Sequence, residues 1–320
     1  MWEFCTFELI YSAILLISAI NNGFVIYYPY SCTESLIDDL GITNNERHFF
    51  IGIAYMTAIS GPYICDFAFH YFRRKTTLII LISINTILWL ILPSLNKKYF
   101  WIGYVDRASS GIILGAVSSA VPIYLIELSP HENAGFFGSL FQFAVFFGIV
   151  TCNLLANYLD WKAISYVGGG ICLFFLFMIW FNPDSPVVVS QHFTSASSLT
   201  LPATSNDMSQ SPTSNPTNNQ NAMPFNSIFY WPYIQKIFYG IVLFFFQNFS
   251  GITQMVINVP DIFKLAGVIF PDTMAYSIAF MVVVFFSFIG CFLHHSFGRK
   301  VPWMISSAGM LISLLIQTIF

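Results

Sequence analysis

Uncharged amide side chains stand inside long apolar runs at several points of the chain. The amides of Asn22, Gln142 and Gln247 each occupy such a run. Helical spacing places Gln254 and Asn258 on the same stripe as Gln247. A carboxamide both donates and accepts hydrogen bonds, so it suits the hydroxyl groups of an uncharged solute without adding a charge. These residue types therefore support reversible hydrogen bonding to a solute; alternatively, the same amides only join neighbouring helices.

Covalent chemistry is not indicated. The sequence shows no nucleophile–base pair, phosphate-binding loop or metal cluster, so we expect neither an enzyme nor a cofactor. Six cysteines lack any paired short spacing, which indicates neither a disulfide framework nor a zinc site. His294 and His295 could bind a metal or sense pH, but with no third ligand nearby an interfacial placement is favoured. The net charge of −3 comes from few groups and gives no indication of nucleic-acid binding.

The composition is typical of a membrane protein. Hydrophobic residues make up 56% of the chain and charged residues 8%, against about 25% charge in soluble domains. The N-terminus is acidic where a signal peptide is basic, so we expect the first apolar run to be retained. Spanning a bilayer takes about 20 helical residues. Nine predominantly apolar runs have that length, at roughly 9–30, 48–68, 76–95, 102–127, 135–157, 163–182, 237–259, 274–294 and 301–320.

The fourth run has charged residues at both of its ends. No charged residue occurs for 19 positions between Ala108 and Ile126, with Arg107 before them and Glu127 after them. Gly111 and Gly115 follow Arg107 at steps of four, so they share one helix face. Two glycines on one face predict the close approach of another backbone.

The order R-x3-G-x3-G-x6-P-x-Y-x2-E-x-S-P, from Arg107 to Pro130, resembles the fourth-helix motif of the sugar porter family. That family belongs to the major facilitator superfamily of transporters. One departure is that Ala134 precedes Gly135, where the family has an Arg-Gly pair after the final proline. Any glycine-rich membrane helix with a proline and a flanking glutamate is the alternative explanation. The resemblance implies an all-α membrane protein with a major-facilitator-type helical bundle.

The resemblance also implies a set of sugar-binding residues. Gln142 resembles the family's fifth-helix glutamine, which touches sugar hydroxyls. The stretch 246–267 resembles the family's seventh helix, in which Gln247, Asn248 and Thr253 fall on its polar positions. Gln254 and Asn258 are added by helical spacing, and Asn22 by its position inside the first apolar run. The expected substrate-binding residues are therefore Gln142, Gln247, Asn248, Thr253, Gln254, Asn258 and Asn22.

The first helix bears on the mode of transport. Proton-coupled members of the family use an acid in this helix. By register Val25 occupies the position of that acid, and valine cannot carry a proton. The resemblance therefore favours facilitated diffusion over proton symport.

A basic turn at residues 70–75 sets the expected orientation. Lysine and arginine concentrate in cytoplasmic loops, so we place this turn and the N-terminus in the cytoplasm. The turn resembles the superfamily's loop between helices two and three, and residues 297–300 resemble a second copy. Two related turns suggest two repeated halves. The expected gating residues are Glu127, Arg73, Arg74, Arg107 and Arg299; alternatively, the basic turns are anchors without a switching role.

The chain divides into three predicted parts. Residues 1–182 form a six-helix half, and residues 236–320 form an incomplete half with helices seven to nine. Between them, residues 183–235 form a cytoplasmic polar loop. From Ser190 to Asn221, 24 of 32 residues are Ser, Thr, Asn, Gln or Pro, which predicts disorder. The superfamily has twelve spans, so we expect a fragment or shortened product, or a partner or oligomer that supplies the missing helices.

The resemblance as a whole implies a carrier of a hexose-type sugar, working by facilitated diffusion through alternating access. It would be a multi-pass protein of the plasma membrane, in contact with lipid and a small sugar. The alternatives are a sugar sensor that moves no solute and an inactive truncated relative.

Overall fold

The computed structural model describes residues 6–129, 133–184, 231–249, 272–298 and 300–319, together with Leu265 and Gly267. Over these residues the chain is built from α-helices joined by short turns. They are α1 (Thr6–Ser31), α2 (Thr33–Leu40), α3 (Asn44–Ala58), α4 (Gly61–Tyr71), α5 (Arg74–Ile91), α6 (Phe100–Leu128), α7 (Ala134–Ala156), α8 (Trp161–Met178), α9 (Trp231–Phe249), α10 (Asp272–Phe297) and α11 (Lys300–Ile319). The expectation of an all-α fold is confirmed.

Two compact units divide the chain. The first comprises Met1–Ser195 and Pro271–Phe320 and holds α1–α8, α10 and α11. The second comprises Ala196–Phe270, and its described helix is α9.

Six described helices are long and apolar enough to cross a membrane, namely α1, α5, α6, α7, α8 and α10. Helices α3 and α4 add a seventh span if they are counted together. The six helices match the first, third, fourth, fifth, sixth and eighth predicted spans, and the α3–α4 pair matches the second. The seventh predicted span is helical up to Phe249, and the rest of it lies outside the described residues. The ninth corresponds to α11.

A bend between α3 and α4 was not predicted. The two helices meet at an angle of 42° at the Ile59–Ser60 turn. Pro62 follows in the first turn of α4. Proline has no N–H to donate to the preceding helix, so the hydrogen-bond ladder of α3 cannot run on unbroken through this point.

Helix α6 packs closely against α3 and α4 through its two glycines. A Cβ atom at Gly111 would overlap the carbonyl oxygen of Ala54, and one at Gly115 would overlap that of Ala58. The predicted close approach of another backbone is therefore confirmed. Small residues allow such contact where no water drives helices together.

Helices α1 and α7 also touch backbone to backbone. A Cβ atom at Gly23 would overlap the carbonyl oxygen of Val145, and one at Gly148 would overlap that of Ile20. This contact fixes α7, which carries Gln142, against the first helix.

Polar side chains connect the buried faces of α1, α5 and α8. The indole N–H of Trp89 donates to Asn21 Oδ1 at 3.1 Å. The hydroxyl of Ser165 donates to Tyr28 Oη at 2.8 Å, and the Tyr28 hydroxyl donates to the carbonyl of Trp161. Hydrogen bonds of this kind join helices where side chains cannot reach water.

A surface ion pair holds the short helix α2 against the start of α8. Asp39 accepts hydrogen bonds from Lys162 Nζ at 2.8 Å and from the Trp161 indole at 3.1 Å. These two bonds, that from Lys162 first, hold the pKa of Asp39 below its ordinary value. The unfolded pKa is about 3.9, so this contribution is present above that pH and is lost as pH falls through the lower folded pKa.

We therefore expect a small loss of stability below about pH 4, because the pair is half exposed and screened by solvent. Thermal unfolding of wild type and Asp39→Asn, measured from pH 6 down to pH 3, checks this. The two curves should converge at the acid end; a constant difference across the range contradicts the prediction.

Candidate functional site

Two arginines where α5 begins each pair with an acidic side chain. We call the end of the first unit that holds these four residues, Arg73, Arg74, Glu127 and Asp184, the basic end. Arg73 Nη1 lies 2.8 Å from Asp184 Oδ2, and Arg74 Nη2 lies 3.3 Å from Glu127 Oε1. The first pair is the more open, with side chains 52% and 27% exposed; those of the second are 21% and 15% exposed. The two arginines thus connect the start of α5 to the end of α6 and to the segment that follows α8.

Lys75 extends this connection to the backbone. Its Nζ donates to the carbonyls of Trp180 at 3.1 Å and Asn182 at 2.7 Å. The sequence analysis selected neither Lys75 nor Asp184, although Lys75 lies in the turn that resembles the superfamily's loop. Asp184 pairs with Arg73, which lies 111 residues earlier in the chain, so sequence spacing gave no signal for this pair.

Arg107 lies far from the basic end. Twenty residues of α6 separate it from Glu127, which is about 30 Å along the helix. Its Nη2 donates to the backbone carbonyl of Val25 at 2.8 Å, and its guanidinium lies 5.5 Å from the ring centroid of Phe50. Arg107 therefore joins α6 to α1 and α3, whereas Arg73, Arg74 and Glu127 come together at the other end.

Asn22 bridges two helices. Its Nδ2 donates to Ser118 Oγ at 3.2 Å and lies 3.5 Å from the carbonyl of Leu114, both on α6. Asn22 itself is buried, whereas Ser118 is exposed. Of the two interpretations of this amide, the helix-bridging one matches the contacts that it makes.

Gln142 lies near the middle of α7 with its side chain exposed. Its amide makes no hydrogen bond to any residue within the described part of the chain. Within the described part of the chain, neither the donor nor the acceptor of this carboxamide is used.

Helix α7 is joined to α10 on both sides of Gln142. Ser139 Oγ lies 3.2 Å from His294 Nδ1 in the direction of the basic end. At the opposite end, Asn153 Nδ2 donates to Ser277 Oγ at 2.8 Å. Gln142 is thus held at a fixed depth between two polar contacts.

The remaining predicted residues come later in the chain. Gln247 and Asn248 lie near the end of α9. Thr253, Gln254, Asn258 and Arg299 lie outside the described residues. No group of three or more metal-ligating side chains occurs among the residues that the structure describes.

Comparison with protein families gives one match along most of the chain. The model of the family described as "Sugar (and other) transporter" matches residues 10–320.

Two relatives match almost the whole of this chain at low sequence identity. The chain is 27% identical over 314 residues to Sugar transporter ERD6-like 6 of Arabidopsis thaliana, covering 95% of this chain and 63% of the relative. It is 25% identical over 310 residues to Facilitated trehalose transporter Tret1 of Bombyx mori, covering 93% and 61%. The chain therefore spans less than two thirds of the length of these relatives.

Solved structures share the fold. The proton:xylose symporter XylE bound to 6-bromo-6-deoxy-D-glucose superposes with a TM-score of 0.69 and 18% identity, covering 92% of this chain and 70% of that one. The partially occluded inward-open form of the xylose transporter XylE from E. coli gives a TM-score of 0.52 and 19% identity, covering 59% and 51%.

Proposed function

We propose a function from the premise that this chain belongs to the sugar transporter family: it carries a sugar, of the hexose type, across a membrane by alternating access. Family membership and the apolar helices make it a multi-pass membrane protein. The names of its relatives, sugar and trehalose transporters, support a sugar as the solute.

The exposed amide of Gln142 is the observation that carries this proposal. A carboxamide facing hydrocarbon would leave its donors and acceptor without partners, which is costly. Gln142 lies near the middle of a spanning helix and makes no hydrogen bond among the described residues, which supports polar surroundings for it. A polar surface at that depth is what a carrier of a hydroxylated solute needs.

Sugar binding at this surface would be weak. Each hydrogen bond that replaces a bond to water contributes only about 0.5–1.5 kcal/mol. A few such bonds, from Gln142 and from the proposed partners Gln247, Asn248 and Thr253, hold a sugar loosely enough to release it. Gln254, Asn258 and Asn22 remain proposed members of the site.

The ion pairs of the basic end would act as the gate. Arg74 with Glu127 and Arg73 with Asp184 join the start of α5 to the end of α6 and to the segment that follows α8. We place this end in the cytoplasm, together with the N-terminus, and the protein in the plasma membrane. Arg299 is the proposed counterpart in the second copy of the turn.

Replacement of Gln142 tests the sugar site. In vesicles containing the purified chain, Gln142→Ala should lower sugar counterflow at least tenfold, because the variant removes both the donor and the acceptor. Thr151→Ala on the same helix is the matched control, since among the described residues Thr151 bonds to its own helix alone, at the carbonyl of Phe147. The control should keep wild-type counterflow and the same amount of inserted protein.

Two outcomes would contradict the proposal. Full counterflow by Gln142→Ala removes that residue from the site. Sugar binding by the wild type without counterflow removes the carrier and leaves a sensor.

A further inference from the structure

An acidic side chain lies buried in α6 without a hydrogen-bond donor. Asp106 is 2% exposed. Neither Oδ1 nor Oδ2 has a partner among the residues that the structure describes. Its neighbour Arg107 is equally buried, and the Nε of Arg107 is also unpartnered within the described chain. Successive residues of a helix point about 100° apart, so these two side chains do not face each other.

This arrangement favours a neutral carboxyl. An ionised carboxylate in a dry interior is strongly unfavourable unless donors solvate it, and binding a proton removes the charge. Arg107 offers a compensating charge nearby, but its guanidinium donates to the carbonyl of Val25 at 2.8 Å and not to Asp106. Ionisable residues inside membrane helices are rare, and they commonly serve as ion or proton sites.

Among the described residues, Asp106 is the buried acid of this region, since Glu46 on α3 is exposed. Helix α5 carries no ionisable side chain after Lys75, which lies at the basic end. Helix α4 begins against α6 at Gly115 and runs on toward the basic end. The described groups that interact electrostatically with Asp106 or Arg107 are Tyr28 on α1, Cys32 between α1 and α2, Tyr55 on α3 and Cys152 on α7.

We propose that Asp106 is a proton-binding site and that it links sugar movement to proton movement. A hydronium ion gives its proton to a carboxylate oxygen of Asp106 and leaves as water, and the reverse step releases the proton. No other bond changes. Protonation raises the combined charge of Asp106 and Arg107 from zero to +1, so the proton alters the electrostatics where α6 meets α1.

This inference rests on the proposed transport and changes its mode. Val25 alone predicts facilitated diffusion, since valine binds no proton. An acid on α6 supplies what α1 lacks. Burial favours the protonated carboxyl and hydration favours release, so a carrier that alternately dries and wets this region takes up and releases one proton per cycle.

The test compares wild type with Asp106→Asn in sugar-loaded vesicles, with Asp38→Asn as control because Asp38 is an exposed carboxylate on α2. Wild type should accumulate sugar several-fold when the compartment that supplies the sugar is the more acidic one. It should show counterflow when the pH is equal on both sides of the membrane. Asp106→Asn should keep counterflow and lose the accumulation driven by the pH gradient. Asp38→Asn should behave as wild type.

Infrared spectra give a second, independent result. The difference between spectra at low and high pH should contain the carbonyl stretch of a protonated carboxylic acid in wild type, and Asp106→Asn should lack that band. If Asp106→Asn does not insert into the membrane, the wild type tests the proposal by itself. Its sugar uptake should then raise the pH of a weakly buffered external medium, because protons enter with the sugar.

The outcomes separate the two proposals. Wild-type counterflow without any response to pH overturns the proton site and leaves the carrier. Gradient-driven accumulation that persists in Asp106→Asn overturns the role of this residue. Absence of counterflow in wild type removes the transport on which the coupling rests, and an absent infrared band removes the proton site itself.

Discussion

Gly148→Val is expected to prevent stable folding of the protein. A Cβ atom at Gly148 would overlap the carbonyl oxygen of Ile20, and Gly23 makes the reciprocal contact one turn away. Overpacking of side chains typically costs about 1–3 kcal/mol because neighbours can shift. Here the neighbour is backbone inside a helix, so α1 and α7 must separate as whole elements. We expect a loss at the upper end of that range or beyond, enough to remove most of a marginal stability.

Gly170→Val on α8 is the matched control. It makes the same change in a spanning helix, at a position where a Cβ atom meets nothing within 4 Å. Thermal unfolding in detergent, followed by size-exclusion chromatography, measures both variants. The control should unfold near the wild-type temperature, and Gly148→Val should give little folded protein. Similar unfolding temperatures for the two variants would show that α1 and α7 are not in backbone contact.

The contrast between two glycine pairs shows what sequence could and could not predict. Gly111 and Gly115 are four residues apart, so their shared face and the close contact were predicted from spacing alone. Gly23 and Gly148 are single glycines on helices far apart in sequence, and only the folded structure brings them together. Spacing within a helix is readable, whereas pairing between helices depends on tertiary packing.

Polar residues follow the same rule. The apolar runs predicted the spans because lipid demands about 20 helical residues, whatever they contact. The partners of polar side chains were not predictable: Asp184 pairs with Arg73 across 111 residues. No role for Asp106 was predicted, because this residue lies just before the fourth-helix motif. Its significance comes from burial without a donor, which is a property of the fold.

Reversing the charge of Arg74 is expected to weaken both stability and transport. Arg74→Glu would place a second carboxylate beside Glu127 where the wild-type side chains are only 21% and 15% exposed, so water screens their repulsion poorly. The variant also loses the stacking of the Arg74 guanidinium on Phe69, whose ring centroid lies 4.0 Å away. We expect a tenfold or greater fall in counterflow. The swap Arg74→Glu with Glu127→Arg should recover part of it, because the ion pair returns without the stacking.

A double-mutant cycle with Arg74→Gln and Glu127→Gln isolates the pair. A charge-assisted hydrogen bond at this exposure should give a coupling of about 1–3 kcal/mol in thermal unfolding. The same cycle on Arg73 and Asp184 should give about 0.2–1 kcal/mol, since that pair is more exposed and better screened. If the coupling of Arg74 and Glu127 is no larger than that of the exposed pair, burial does not strengthen the contact. If the neutral variants keep wild-type counterflow, the basic turn is an anchor and not a gate.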